Sequence, residues 1–398
     1  MDVLIISNYW HFEWEKSSSR YLSIVNMAVD AGMDVEVVTS SFYHTMKKQR
    51  SVFQEKFKLC NYKTTLIHEP GYKKNVDPRR IISHRKFAAN VLSYLKQRKK
   101  PDVIYLFVPP LDLGEAVVRY ANENKVRIII DILDLWPEAF NMILPFSGIT
   151  HYLLEPMRRK ANRIYAGADE IVAVSETYVN RALQCNKKCD KGLAVYIGTE
   201  LNVFDKYASK KLREKKEDET WIAYIGTLGT SYNLYCIMDA IKMIRDPAKA
   251  KFIIMGDGPE RSELESYAND SGICYEFTGK LPYEDMVSLL CQCDIAVNPI
   301  KRSSAASIIN KVSDYAAAGL PVVNTQNNQE YIELLTEYNA GFSFEESDIA
   351  GIAGCFDRLI KDRNLCEEIG KNNRRLFLEK FSRNDSYTAI IEKMREGG

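Results

Sequence analysis

Lys311 and Asp314 stand three residues apart in the segment Ser307–Val323, S-I-I-N-K-V-S-D-Y-A-A-A-G-L-P-V-V. On a helix that spacing puts both side chains on one face. The pair then has two readings. It is an exposed ion pair on an ordinary surface helix, or it is a binding device. In the second reading the helix start, with its free N–H groups and positive dipole end, receives a diphosphate. Lys311 adds charge there, and Asp314 accepts hydrogen bonds from ribose hydroxyls. Ile308, Val312 and Tyr315 recur at i, i+4 and i+7 as the buried face, Gly319 ends the helix and Pro321 stops its continuation. The polar loop Pro299–Ser304 precedes it and offers Lys301 and Arg302 as further cations.

Three glycine turns precede this segment. Tyr224–Thr230 (Y-I-G-T-L-G-T) follows an apolar strand and places Gly226, Thr227 and Leu228 where backbone can approach a phosphate or sugar. Met255–Glu260 (M-G-D-G-P-E) contributes Gly258, and Phe277–Pro282 (F-T-G-K-L-P) contributes Gly279 and Leu281. Each alone is an ordinary turn. In the first half, Ser18-Ser19-Arg20 follows the first strand and opens a helix, a turn able to face a phosphate. Asp131–Glu138 (D-I-L-D-L-W-P-E) closes a strand. Asp134 there either orients or deprotonates a hydroxyl, or caps the next turn with Trp136 in the core.

The elements that must position these residues alternate between strand and helix. Val3–Ile6, Val35–Val38, Val103–Leu106, Arg127–Ile132 and Glu170–Val174 read as continuous apolar strands, with charged helices between them. From Tyr21 a helix shows Leu22, Val25 and Val29 on one face and stops at Gly32. The stretch from Glu200 to Thr220 is charge-rich and poor in apolar residues, and reads as a linker or an exposed connection. The alternation restarts at Trp221–Ile225 and continues through Lys251–Met255, Ile273–Phe277, Asp294–Val297 and Pro321–Val323. Such alternation implies parallel sheets covered on both faces. The expectation is an α/β protein of two doubly wound Rossmann-like domains, residues 1–200 and 201–380, facing an interdomain cleft. Ligands of such sheets lie beyond the carboxyl ends of the strands.

Composition narrows the function classes. The 398 residues suit two domains, and 46% hydrophobic with 27% charged residues is an ordinary globular balance. The net charge of +1 hides an asymmetry: residues 1–200 hold 29 basic and 22 acidic side chains. Lys47-Lys48, Arg79-Arg80, Arg98-Lys99-Lys100 and Arg158-Arg159-Lys160 are either solvated helix ends or a seat for an anionic membrane surface or a phosphorylated acceptor. No interleaving with aromatics favours nucleic acid. The nine cysteines show no zinc spacing and read as reduced thiols. Met1–Trp10 has no basic residues ahead of its apolar run, and no run approaches the ~18 residues of a membrane span. The expected setting is the cytoplasm, with a peripheral position on the inner membrane face.

Taken in order, these segments resemble retaining glycosyltransferase family 4, enzymes of the GT-B fold. Asp314 falls where the second acid of that family's Glu-x7-Glu element sits, the one implied to bind ribose, and Ala306 takes the place of the first. The segment is similar to a branch with a Ser-x-x-Asn/Ser-Lys-x-x-Glu/Asp-Tyr pattern. Backbone groups around Ser307, Ile309 and Asn310 are then implied to hold the donor sugar. Tyr232 and Asn233 stand where the family often carries Arg and Lys, so Lys311 or Arg302 is implied to supply that charge. The turns at Gly258 and Gly279 resemble those near the nucleobase. The D-L-W-P-E stretch resembles the acceptor domain, with Asp134, Trp136, Ser18, Ser19 and Arg20 on the acceptor side, and Phe381-Ser382 resembles the start of a tail, 381–398, that packs back on the first domain. The resemblance implies transfer of a sugar from a nucleotide diphosphate-sugar, UDP favoured, to a hydroxyl of a lipid-linked or polysaccharide glycan. It also implies retention of configuration and neither metal nor other cofactor. Two rivals keep the fold: a UDP-sugar epimerase, and a nucleotide-sugar-binding partner subunit without catalysis, which Ala306 and Tyr232 would suit.

Overall fold

The computed structural model describes residues 1–396 apart from 16–18, 51–58, 76, 143–147 and 305–307, and leaves out the side chains at 141–142, 148–151 and 303. Ser18, Ala306 and Ser307 therefore lie outside the described residues. The chain divides into two compact units, Met1–Tyr196 with Ser386–Gly398, and Ile197–Asp385.

The first unit is built on a seven-stranded sheet. Its order is Lys63–Ile67, Asp34–Ser40, Asp2–Ser7, Val103–Val108, Arg127–Ile132, Glu170–Ala173, Leu193–Ala194. Every pairing is parallel. Val3–Ile6 and Val103–Val108 are buried along their whole length, as strands covered on both faces must be. The strand order reverses beside Asp2–Ser7, which makes its carboxyl end a switch point where loops splay apart. The helix Arg20–Asp30 packs one face of this sheet through Leu22, Ile24, Val25 and Ala28. The final helix, Thr388–Arg395, adds Ile390, Ile391 and Met394 to the same core, joined by Tyr387. Arg127 Nη1 donates to the Met394 carbonyl at 3.1 Å, and Arg395 reaches the Ala31 carbonyl at 2.8 Å.

The second unit repeats the plan with six parallel strands, in the order Cys274–Gly279, Ala250–Met255, Thr220–Ile225, Ile295–Asn298, Val322–Asn324, Gly341–Ser343. The chain enters this unit at 197, not after 200, and leaves it at 385, not at 380. The stretch from Glu200 is an exposed connection tied to the second unit, not a free linker. Leu201–Ala208 is a helix with Phe204 buried, and Lys215 meets Asp294 at 2.5 Å while Arg213 meets Glu276 at 3.3 Å. Partners far along the sequence hold that charge-rich stretch to the second unit.

Two glycine turns there exist because backbones touch. A Cβ at Gly256 would lie 1.8 Å from the Gly226 carbonyl oxygen, and one at Gly258 would lie 2.1 Å from the Leu228 carbonyl oxygen. At Gly229 the nearest atom is Thr227 Cγ2, 3.9 Å away. Gly256→Ala should therefore cost about 2–3 kcal/mol in urea unfolding, the range for overpacking, whereas Gly229→Ala should leave the midpoint almost unmoved. Equal midpoints for the two variants would show that the turns are not in contact.

Candidate functional site

In the second unit, the loops after Thr220–Ile225, Ala250–Met255, Cys274–Gly279 and Ile295–Asn298 gather at the carboxyl edge of one sheet. Gly226 adopts φ +134 and donates its N–H to the Met255 carbonyl at 3.0 Å. Gly279, at φ +71, bridges to Gly256. Asn233 N–H donates to the Pro299 carbonyl at 2.8 Å and Lys301 N–H to the Ser231 carbonyl at 3.0 Å, so the Tyr232 turn is tied to the loop after Ile295–Asn298. Thr227 is exposed and Leu281 half-buried at this edge. Leu228 departs from expectation: its side chain is in the core, its N–H goes to the Asp257 carbonyl at 3.0 Å, and its carbonyl accepts from Glu260 N–H at 3.1 Å. With those groups engaged, it braces the loop.

Lys311 opens the helix Lys311–Ala317, with Ile309 half-buried ahead of it and the exposed Asn310 at its N-cap. The carbonyl of Asn310 accepts from Ser313 N–H at 3.2 Å and from Ser313 Oγ at 2.7 Å. Lys311 makes no ion pair with Asp314, which corrects the surface-pair reading. Its Nζ is wholly enclosed without a hydrogen-bond acceptor. It sits 4.0 Å from the ring centres of both Tyr224 and Tyr232. It also lies against Gly226, where a Cβ would come within 2.9 Å of it. Burial drives its pKa well below the ordinary lysine value. Two aromatic faces compensate a desolvated ammonium only in part, so the charge lacks an anion. Tyr224 and Tyr232 escaped the sequence reading. Tyr232 was visible only as a missing cation, and it supplies a π face to the cation that is present.

Asp314 is held differently. Its Oδ1 accepts from Thr199 Oγ1 at 2.9 Å and from Tyr283 Oη at 3.1 Å, which leaves Oδ2 without a hydrogen bond. Burial outweighs those bonds and raises its pKa to about 6. Arg302 lies on a short 3₁₀ turn, 68% exposed, with Glu345 at 3.4 Å.

In the first unit, Asp134 follows the strand Arg127–Ile132 and accepts from Trp136 Nε1 at 3.0 Å. Burial raises its pKa, and the bonds from Trp136 and the Leu135 backbone oppose the rise. Asp134 thus caps its own turn, and Trp136 is only half-buried, not a core residue. The acceptor-side turn at Ser19 and Arg20 needs correction. Ser19 is the N-cap of Arg20–Asp30, accepting from Leu22 N–H at 3.3 Å. Arg20, 3% exposed, forks onto Asp131 at 2.8 and 3.1 Å and donates to the Val195 carbonyl at 2.7 Å. Tyr105 Oη donates to the same carboxylate at 2.8 Å. All of this charge is spent inside the unit, none of it facing a ligand. Among the described residues no group of three or more His, Cys, Asp or Glu is arranged to hold a metal ion, and no helix is long and apolar enough to cross a membrane.

Residues 219–362, which include the glycine turns and the Lys311 helix, match the family described as Glycosyl transferases group 1. Among curated proteins the chain is similar to the capsular polysaccharide biosynthesis glycosyltransferase CapM of Staphylococcus aureus, 23% identical over 304 residues, covering 72% of this chain and 75% of that one. Among solved structures it is similar to Anabaena HepE in complex with UDP, with a TM-score of 0.68 at 14% identity over 99% of this chain and all of the other. It is similar as well to the E. coli trehalose-6-phosphate structure bound with UDP-2-fluoro glucose, with a TM-score of 0.71 at 12% identity over 99% of both chains. The fold is GT-B, two Rossmann-like sheets in one chain.

Proposed function

We propose that this protein transfers a sugar from a UDP-sugar to a hydroxyl of a lipid-linked or polysaccharide glycan, with retention of configuration and without a metal. The observation that carries the reading is the enclosed, anion-less ammonium of Lys311 beside Gly226. The second unit takes the donor and the first takes the acceptor. The bond that breaks joins the anomeric carbon to a diphosphate oxygen, and negative charge grows on that oxygen as it leaves. Lys311 is aimed at this charge, in surroundings where an unsolvated cation acts most strongly. Arg302 is a second cation for the same role, since its exposed contact with Glu345 is readily exchanged. Backbone at Gly226, Thr227, Gly258, Gly279, Ile309 and Asn310 lines the donor's path. Asp134 orients the acceptor hydroxyl from the first unit. The names of CapM and of the UDP-bound structures support polysaccharide assembly and a uridine donor. The basic first half supports a cytoplasmic site at the inner membrane face.

Asp314 gives the test. Its free Oδ2 accepts from a ribose hydroxyl most strongly when ionised, and its pKa is about 6. UDP affinity measured calorimetrically should hold from pH 8 to 7 and then weaken through about pH 6, levelling off about tenfold lower once Asp314 is protonated. Asp314→Asn should bind about tenfold more weakly at pH 7.5, the scale of a charge-assisted hydrogen bond, with no such pH dependence. Stability moves with the same group. A raised acid pKa means that the folded state binds the proton more tightly, so this residue's contribution falls as pH rises from about 4 to about 6. UDP affinity that is flat with pH and equal in the variant would remove Asp314 from the ribose. Turnover of UDP-sugars without any acceptor would favour the epimerase.

A further inference from the structure

The carboxyl edge of the first sheet holds a second cluster that donor binding leaves unused. Buried Glu69 accepts from Asn8 Nδ2 at 2.8 Å, Ser40 Oγ at 2.5 Å and Ser83 Oγ at 2.7 Å. Those bonds lock together the turn after Asp2–Ser7, the end of Asp34–Ser40 and the helix Pro78–Gln97. On that frame stands Arg80. Its Nη2 donates to Tyr9 Oη at 2.8 Å and its Nη1 to the Asn75 carbonyl at 3.1 Å, while its buried Nε has no acceptor. The rings of Trp136, Tyr72 and Tyr9 lie 5.0, 5.5 and 5.9 Å from the guanidinium carbon. Lys47, at φ +54, lies 5.3 Å from the Tyr72 ring centre and donates to the His44 carbonyl at 2.6 Å.

Neither cation has a carboxylate within ion-pair reach among the described residues. The neighbours confirm an excess of positive charge. His44 contacts Tyr72 Oη at 2.5 Å and His84 contacts Tyr9 Oη at 3.2 Å. Burial, reinforced by Lys47 and Arg80, lowers the His44 pKa to about 4, and burial reinforced by Arg80 lowers that of His84 to about 3. Arg80 repulsion also lowers Lys47, after burial. Like charges walled by aromatic rings are unfavourable until an anion joins them. A guanidinium with an open N–H edge is the group best suited to a planar or tetrahedral oxyanion.

We infer that the first unit selects an acceptor carrying an oxyanion, a sugar carboxylate or a phosphate, and seats it between Arg80 and Lys47. This rests on the transferase reading and specifies its acceptor class. The test uses the full-length protein with labelled histidine. His44 and His84 resonances are followed during titration with methyl glucuronide, glucose 1-phosphate and neutral methyl glucoside, and UDP affinity is measured in parallel. One of the two anions should saturate the shifts, and which of them does so separates carboxylate from phosphate; the neutral glucoside should not. Arg80→Gln should weaken the anion about tenfold or more, Lys47→Gln less, and Arg79→Gln, at an exposed neighbour, not at all. Arg80→Lys keeps the charge and loses the fork, so intermediate binding with an unchanged melting transition of the first unit shows a folded protein with an impaired seat. Equal binding of neutral and charged sugars, or anion affinity unchanged in Arg80→Gln, overturns the inference. If UDP binds while neither anion does, the inference fails alone. If UDP fails to bind wild-type protein, the transferase reading fails.

Discussion

Lys311→Met is expected to lower sugar transfer by about 100- to 1000-fold, the range for losing one fixed stabiliser of a developing oxyanion, and at the same time to raise the melting temperature. The two effects have one cause. The ammonium is enclosed, without an acceptor, and set against the rings of Tyr224 and Tyr232. Folding must strip its water and returns only the aromatic faces, so an apolar chain of similar length suits the empty site better. The sign with pH follows. The folded pKa lies well below the ordinary value, and the unfolded one stays near ~10.4. Between them the unfolded state binds more protons, so wild-type stability from this residue rises with pH toward ~10.4. Urea midpoints at pH 7 and 9.5 should show that rise in the wild type and its loss in Lys311→Met. A variant with transfer within tenfold of wild type would take Lys311 away from the leaving group.

The largest stability loss is expected at the other end of the chain. Arg20→Met strands Asp131, whose side chain is fully buried and loses both prongs of a fork. Breaking a buried pair on one side costs about 3–5 kcal/mol. Two denaturation transitions should then separate, with the first unit melting early and UDP binding by the second unit kept. Arg20→Met with Asp131→Leu should recover a large part of the loss, since the uncompensated charge is gone. A change in acceptor Michaelis constant with unaltered stability would instead restore Arg20 to the acceptor side.

What the sequence disclosed divides along a physical line. Apolar runs such as Val3–Ile6 and Trp221–Ile225 announced buried strands because parallel strands are covered on both faces. Lys63–Ile67 carries no such signal because this edge strand is only partly covered and opens on three polar residues, Lys63, Thr64 and Thr65. Glycines near the Lys311 site were legible because close backbone approach admits little else. Long-range partners were not. Nothing near Arg20 in the chain indicates Asp131, 111 residues on, and the lysines after Glu200 look solvated until Asp294 and Glu276 are placed. Arg79-Arg80 and Lys47-Lys48 were seen as basic pairs, but only the fold shows that one member of each pair turns inward against aromatic rings.

The helix Thr388–Arg395 completes the first sheet's core, yet it is made only after the whole second unit. During synthesis the first unit emerges unsealed, its core lacking Tyr387, Ile390, Ile391 and Met394, until the whole of the second unit has left the ribosome. Nascent chains are thus exposed to chaperones and proteases while the second unit is made, and a frameshift or stop codon just after the codons of that unit would harm the half of the protein encoded first.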